Sequence, residues 1–282
     1  MSDAKERQFL IDGMTICAKQ WGDAGIPAIA LHGWLDNAAS FDTLAKVLPE
    51  LQILALDMPG HGLSDHKPAS GNYAIWDDLR FVLGVAEQMG WSSFVLIGHS
   101  RGAMMASLLA GAAPERVSHL ICVDGLVPMP EAPENFPAQL GRYLKDFAQA
   151  GSSDKGHPNF AAALAARRAA TPMSEFAAQL IVERGSYCDP NGRVFWRSDR
   201  RVKLASPVKL SFAQLQANMA AISAPSLLII ADQGLGRWLP KLPVNLLERF
   251  EIKHIEGDHH CHMDEQATEM ARWIKEFLGV CG

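Results

Sequence analysis

A serine held between glycines at the end of an apolar run is the feature of this chain best suited to chemistry. The stretch FVLIGHSRGAMMASLLAG, residues 94–111, passes from Val95-Leu96-Ile97 through Gly98-His99-Ser100-Arg101-Gly102 into small, helix-compatible residues. Gly and Ser also populate plain turns. In this setting the pattern fits a nucleophile elbow, a strained strand-to-helix bend that projects the serine hydroxyl above a sheet. A hydroxyl is a poor nucleophile until a base takes its proton, so Ser100 requires an imidazole within hydrogen-bond reach. That imidazole in turn requires a carboxylate to fix its tautomer and stabilise its cation. The chain offers both kinds of partner: Asp57, Asp124 and Asp232 each end an apolar run, and His259, His260 and His262 crowd into EGDHHCHMDE. A serine, an acid and a histidine thus follow one another in a known triad order. The developing oxyanion needs preorganised N–H donors, and the backbone N–H of Arg101, next to the serine, is one.

The elements that must position these groups alternate along the chain. MTICAKQWG, AIALHG, QILALDMPG, FVLIGHS, HLICVDG, SLLIIAD and EIKHIEG read as strands, several with the continuous apolar character of strands buried on both faces. Helical patterns lie between them over Ala38 to Leu48, Trp76 to Met89, Arg101 to Ala112 and Asp264 to Leu278. The expected fold class is α/β, a mostly parallel sheet with helices on both sides. The alternation lapses between about Val127 and Ala221, where Pro-rich connections and three helical patterns occur with no strand signal. The expected organisation is a core over 1–126 and 222–282 with a helical cap inserted at 127–221. In such a sheet ligands bind beyond the carboxyl ends of the strands, where the polar residues above fall.

Composition sets the limits. A chain of 282 residues with 48% hydrophobic residues and a formal charge of −5 describes a globular protein with a large core and no basic excess for nucleic acid. Its first residues carry charges without an apolar segment, and no later run is long enough to span a bilayer, so neither membrane nor secretion is expected. Five dispersed cysteines without C-x-x-C fit a reduced, cytoplasmic protein. A small acyl molecule is the expected partner, with a second copy of the chain the candidate protein partner, and no cofactor is expected.

The loops LHGWLDNAASFDTL, LDMPGHGLSDH and GHSRGA resemble, in order and spacing, those of α/β-hydrolases with a helical cap, over essentially Leu10 to Leu278. HGWLDNAASF together with LIVERG is similar to the serine hydrolase-like, or Kraken-like, subgroup. The resemblance implies about eight strands, a cap over the active site and cofactor-free acyl hydrolysis. It implies that Trp34, following His32-Gly33, supplies the second oxyanion N–H, while His32 braces its loop. It also places the base at His259, through Gly257-Asp258-His259, leaving His260 and His262 without a required role. A zinc site of His259, His260, His262 and Asp264 is the competing reading of this loop. It is disfavoured because no further ligand motif accompanies it and the elbow already calls for one of these histidines.

The acid stays open. In IIADQGLG the position where the family usually carries it falls on Gly234. Asp124, ending its strand cleanly, is favoured, with Asp232 the alternative and a structural turn brace the competing role for either. Asp57, before Pro59-Gly60-His61-Gly62, reads as a structural loop residue, Met104 and Met105 as core, and RVFWRSDRRVK as a solvated face able to attract a carboxylated substrate. Trp34, Phe136 and Phe160 are candidates to line an apolar pocket. The function expected is a carboxylesterase-like serine hydrolase working through an acyl-enzyme. The alternatives are carbon–carbon bond hydrolysis or perhydrolysis on the same triad, and a ligand-binding protein with a degraded one.

Overall fold

The computed structural model describes residues 4–148, 155–235 and 247–280. The described residues hold ten strands: β1 (Lys5–Ile11), β2 (Met14–Trp21), β3 (Ile26–Leu31), β4 (Leu51–Leu56), β5 (Phe94–His99), β6 (Val117–Val123), β7 (Ser186–Cys188), β8 (Val194–Trp196), β9 (Ser226–Ala231) and β10 (Phe250–Ile255). Eight of them form one sheet in the order β1-β2-β4-β3-β5-β6-β9-β10. From β4 to β10 the neighbours run parallel, and β1 and β2 add an antiparallel edge.

The wholly apolar strands are central because helices cover both faces. Alternate side chains of β5 divide between two cores: Leu96 joins Phe81, Val85 and Met105 on one face, and Val95 and Ile97 join Leu44, Met270 and Ile274 on the other. The first face is covered by α2 (Leu79–Gln88) and α3 (Arg101–Ala112), the second by α1 (Asp42–Lys46) and the last helix, α8 (Ala267–Leu278). Burial on this scale, about 25 cal/mol per Å² of apolar surface, holds the sheet's carboxyl edge rigid enough to carry a site.

Three strands depart from the sequence expectation. The β1 strand hides in a charged segment because only Phe9 and Ile11 face inward from this exposed edge. Strands β7 and β8, inside the insertion, are three residues each, too short to show an alternation. Between β6 and β9 lie α4 (Phe136–Ala148), α5 (Phe160–Ala170), α6 (Glu175–Gly185) and α7 (Phe212–Ala221). The α7 helix, which the sequence groups with the insertion, packs on α3: Leu215 and Met219 enter the main core and Asn218 Nδ2 donates to Ser107 O at 2.9 Å. The α5 and α6 helices instead make small cores of their own, with Ala163, Val182 and Val194 in one.

Among the described residues, no helix is long and apolar enough to cross a membrane.

Candidate active site

Ser100 stands between β5 and α3 with φ 53° and ψ −116°, a conformation that costs a non-glycine residue energy and persists only where the surroundings impose it. The surroundings here are backbone. A Cβ on Gly102 would lie 1.9 Å from Leu31 O, and one on Gly98 would lie 2.4 Å from Gly102 O. Glycine at both positions lets strand and helix close on the bend. The N–H of Ser100 donates to Val123 O at 3.0 Å, joining the elbow to the end of β6.

Asp124 follows directly, at the end of β6, and His259 lies on the loop after β10. The Ser100 hydroxyl is 2.8 Å from His259 Nε2, and His259 Nδ1 is 2.5 Å from Asp124 Oδ2. A carboxylate can only accept, so Nδ1 carries the proton and Nε2 presents its lone pair to the hydroxyl. Asp124 is buried and also accepts from Ala231 N at 3.1 Å and from Leu235 N at 2.7 Å. Asp232, the alternative acid, is exposed, and its Oδ1 accepts Gly257 N at 2.9 Å, shaping the turn ahead of the histidine loop.

Gly234 has a physical explanation. A Cβ there would lie 2.0 Å from Asp124 Oδ2, so the carboxylate from β6 fills the space a side chain at 234 would need. Gly234→Asp is therefore expected to displace the Asp124 carboxylate and lower both stability and turnover. Circular dichroism melting and ester hydrolysis check this, and a gain of activity would contradict it.

The Trp34 loop lies alongside the elbow. His32 Nδ1 donates to Gly33 O at 2.7 Å and His32 Nε2 accepts Met58 N at 3.0 Å, bracing the loop. Trp34 Nε1 donates to Val202 O at 3.0 Å, fixing the indole against the insertion. The backbone N–H groups of Trp34 and Arg101 donate to no acceptor among the described residues. Asp57 is structural: Ala38 N and Leu63 N donate to it, and Arg184, from LIVERG in α6, bridges it to Glu6.

Next to Trp34 and Arg101 opens a cavity of about 290 Å³ lined by Trp76, Met104, Met129, Val202 and Leu210 among others. Met104 thus faces the cavity while Met105 is core. Phe136 and Phe160 line it nowhere: Phe136 is exposed near a separate groove, and Phe160 packs within the insertion. Of the expected arginine cluster only Arg201 reaches the cavity, and it is spent. It clasps Asp199 at 2.6 Å and donates to Lys67 O, Pro68 O and Gly71 O. Arg101 likewise donates to Asp78 at 3.0 Å.

The four residues of the competing metal reading do not converge. His259 faces Ser100, Asp264 accepts Ser174 Oγ at 2.7 Å, and His262 is buried against His99 and Phe41. The group that does gather is Asp36, His99 and His260, and there Arg167 already supplies the cation, at 2.5 Å from Asp36 Oδ1. Sequence reading passed over Asp36, His99 and Arg167. The available signal was an aspartate in HGWLDN and a histidine inside the elbow, both in segments otherwise destined for burial.

Burial pushes His99 down to about 4, against the pull of the nearby Asp36 carboxylate charge, and lowers His262 well below the ordinary value for the same reason. Neutral in the fold, these rings take up protons on unfolding near the ordinary 6.5. Stability is therefore fully present above that pH and is lost as pH falls toward 4. The melting temperature is expected to drop steadily from pH 7 to pH 5, and a flat profile over that range would contradict the buried, neutral assignment.

A family model described as the alpha/beta hydrolase fold matches residues 27–235. The mouse serine hydrolase-like protein is 30% identical over 286 residues, covering 89% of this chain and 88% of its own. A Dictyostelium discoideum serine hydrolase-like protein is 46% identical over 116 residues, 40% of this chain and 32% of that one, so the match spans about a third of its length. The crystal structure of the hypothetical protein PA1622 from Pseudomonas aeruginosa superposes with a TM-score of 0.92 at 38% identity, covering 98% of this chain and 99% of that one. A parallel sheet with a serine elbow between β5 and α3, matched over most of its length by the family model and by these relatives, places the chain in the α/β-hydrolase family, within its serine hydrolase-like subgroup.

Proposed function

We propose that this chain hydrolyses neutral, apolar carboxylic esters through an acyl-enzyme, with Ser100 as nucleophile, His259 as general base and acid, and Asp124 as the orienting acid. The observation that carries the reading is the unbroken hydrogen-bond chain from Asp124 through His259 to the Ser100 hydroxyl. As Ser100 Oγ attacks the ester carbonyl, His259 Nε2 takes its proton and Asp124 stabilises the imidazolium. The backbone N–H groups of Trp34 and Arg101 receive the oxyanion, each worth roughly 2.7 to 4 kcal/mol. The proton then passes to the leaving alcohol, and a water activated by the same imidazole releases the acid. The inserted helices α4, α5 and α6 act as the cap.

The substrate class follows from the cavity. Its wall is mainly apolar, and its three cations are committed to carboxylates, Arg101 to Asp78, Arg201 to Asp199 and Lys209 to Glu131. A carboxylated chain would lose its hydration there without gaining a partner. In a series of p-nitrophenyl esters, kcat/KM is expected to rise with each methylene the cavity takes, by up to about fourfold for 0.8 kcal/mol buried. An ω-carboxylated chain of equal length should run at least about tenfold slower. Preference for acetate, or for the carboxylated ester, would overturn this choice of substrate.

A further inference from the structure

Behind the proposed base lies a buried polar group that the mechanism above does not use. His99 Nε2 is 2.7 Å from the backbone carbonyl of His259, and because a carbonyl only accepts, His99 donates from that nitrogen. Its other nitrogen, Nδ1, faces Asp36 Oδ2 at 3.6 Å, and His260 Nε2 lies 3.4 Å from the same oxygen. The second carboxylate oxygen accepts from Arg167 Nη2 at 2.5 Å. Asp36 and Arg167 are both almost completely buried and stand 131 positions apart, one on the Trp34 loop and the other on α5 of the insertion.

We propose that Arg167 and Asp36 form a charge-balanced support through which the insertion holds the catalytic base: Arg167 neutralises Asp36, and the Asp36-facing His99 grips the carbonyl of His259. His99, Asp36 and Arg167 are positioning residues, since none touches the reacting atoms. The physical requirement is strict. A buried carboxylate without its cation is far costlier than the intact pair, so Asp36 can sit beside the histidine loop only while α5 delivers Arg167. Seating of the insertion and presentation of His259 are then one event. The inference rests on His259 being the base.

The groups facing His259 fix the sign of the test. Asp124 and Ser100 are hydrogen-bonded to it, and the rings of His99 and His260 lie 4.7 and 5.1 Å away. Beyond those rings are Asp36, Arg167 and His262, and Asp258 on the same loop accepts His260 N. Arg167→Gln leaves an unbalanced negative charge behind the imidazole, which favours its protonation. The acid limb of kcat/KM should move to higher pH. Asp36→Asn leaves an unbalanced positive charge and should move it to lower pH. At these separations each displacement should be about half a pH unit or more, and the double variant Asp36→Asn/Arg167→Gln should return the limb to the parental position. A support that merely packs would leave the limb where it is in all three.

Where a single charge variant does not fold, the remaining one decides by its sign, and His99 supplies an independent reading. His99→Leu, which loses the donor to His259 O, is expected to lower kcat at least about tenfold with KM kept, as a displaced catalytic group does. His99→Gln, which can still donate, should recover most of it. Equal losses in the two His99 variants, or a limb that stays put in the charge variants, would overturn the proposal. If His259→Ala remained active there would be no imidazole limb to move, and the assignment of the base would fail instead.

Discussion

Replacing Ser100 with alanine is expected to lower ester turnover by roughly 10⁶, the order seen when the nucleophile of a serine triad is removed. Oγ is the only atom lost, and no packing depends on it: the backbone of the elbow is held by Val123 O and by the close approach of Gly98 and Gly102 to their neighbours. Alanine at φ 53° bears the same backbone strain as serine, so the melting temperature should stay close to the parent. Binding of a non-hydrolysable ester analogue in the cavity should survive as well. Loss of fold together with loss of activity would mean that the serine serves the turn rather than the chemistry.

Asp124→Asn should be nearly as severe, lowering turnover per folded molecule by about 10⁴. The amide keeps the shape of the carboxylate but cannot accept from His259 Nδ1 and from both Ala231 N and Leu235 N, as the carboxylate does. If its NH2 turns toward His259, the imidazole adopts the other tautomer and directs an N–H at Ser100. In either orientation a backbone donor loses its acceptor, Leu235 N in the first and Ala231 N in the second, with a stability cost of about 1 to 3 kcal/mol. Asp232→Asn, altering only an exposed turn bond to Gly257 N, should keep at least about a tenth of the activity. Steady-state kinetics on both variants, normalised to folded protein, separate the two carboxylates. The reverse ranking would move the acid to the end of β9.

The sequence carried the sheet and the elbow openly because both depend on local patterns. Val95-Leu96-Ile97 must be apolar on both faces, and Gly98 and Gly102 must be glycine wherever Ser100 is presented on this bend. The proposed acid was less legible for the opposite reason. Gly234 resembles a missing catalytic residue in a linear pattern, and only the fold brings the Asp124 carboxylate into the space beside it. The β1 strand was obscured by its exposure, and the place of α7 against α3 by its position in sequence beyond the inserted helices. The Asp36–Arg167 pair joins two single residues from distant segments, neither of which carries a local signature. Lone charges in apolar surroundings are a weak sequence signal but a strong structural one, because burial obliges them to find each other.

The most direct test of the account is where a fluorophosphonate probe attaches. The triad geometry predicts a single stoichiometric adduct, mapped by peptide mass spectrometry to Ser100, whose formation slows sharply in His259→Ala and in Asp124→Asn but not in Asp232→Asn. An adduct on another residue, or parental protein that stays unlabelled, would contradict the assignment of Ser100, His259 and Asp124 as one catalytic unit.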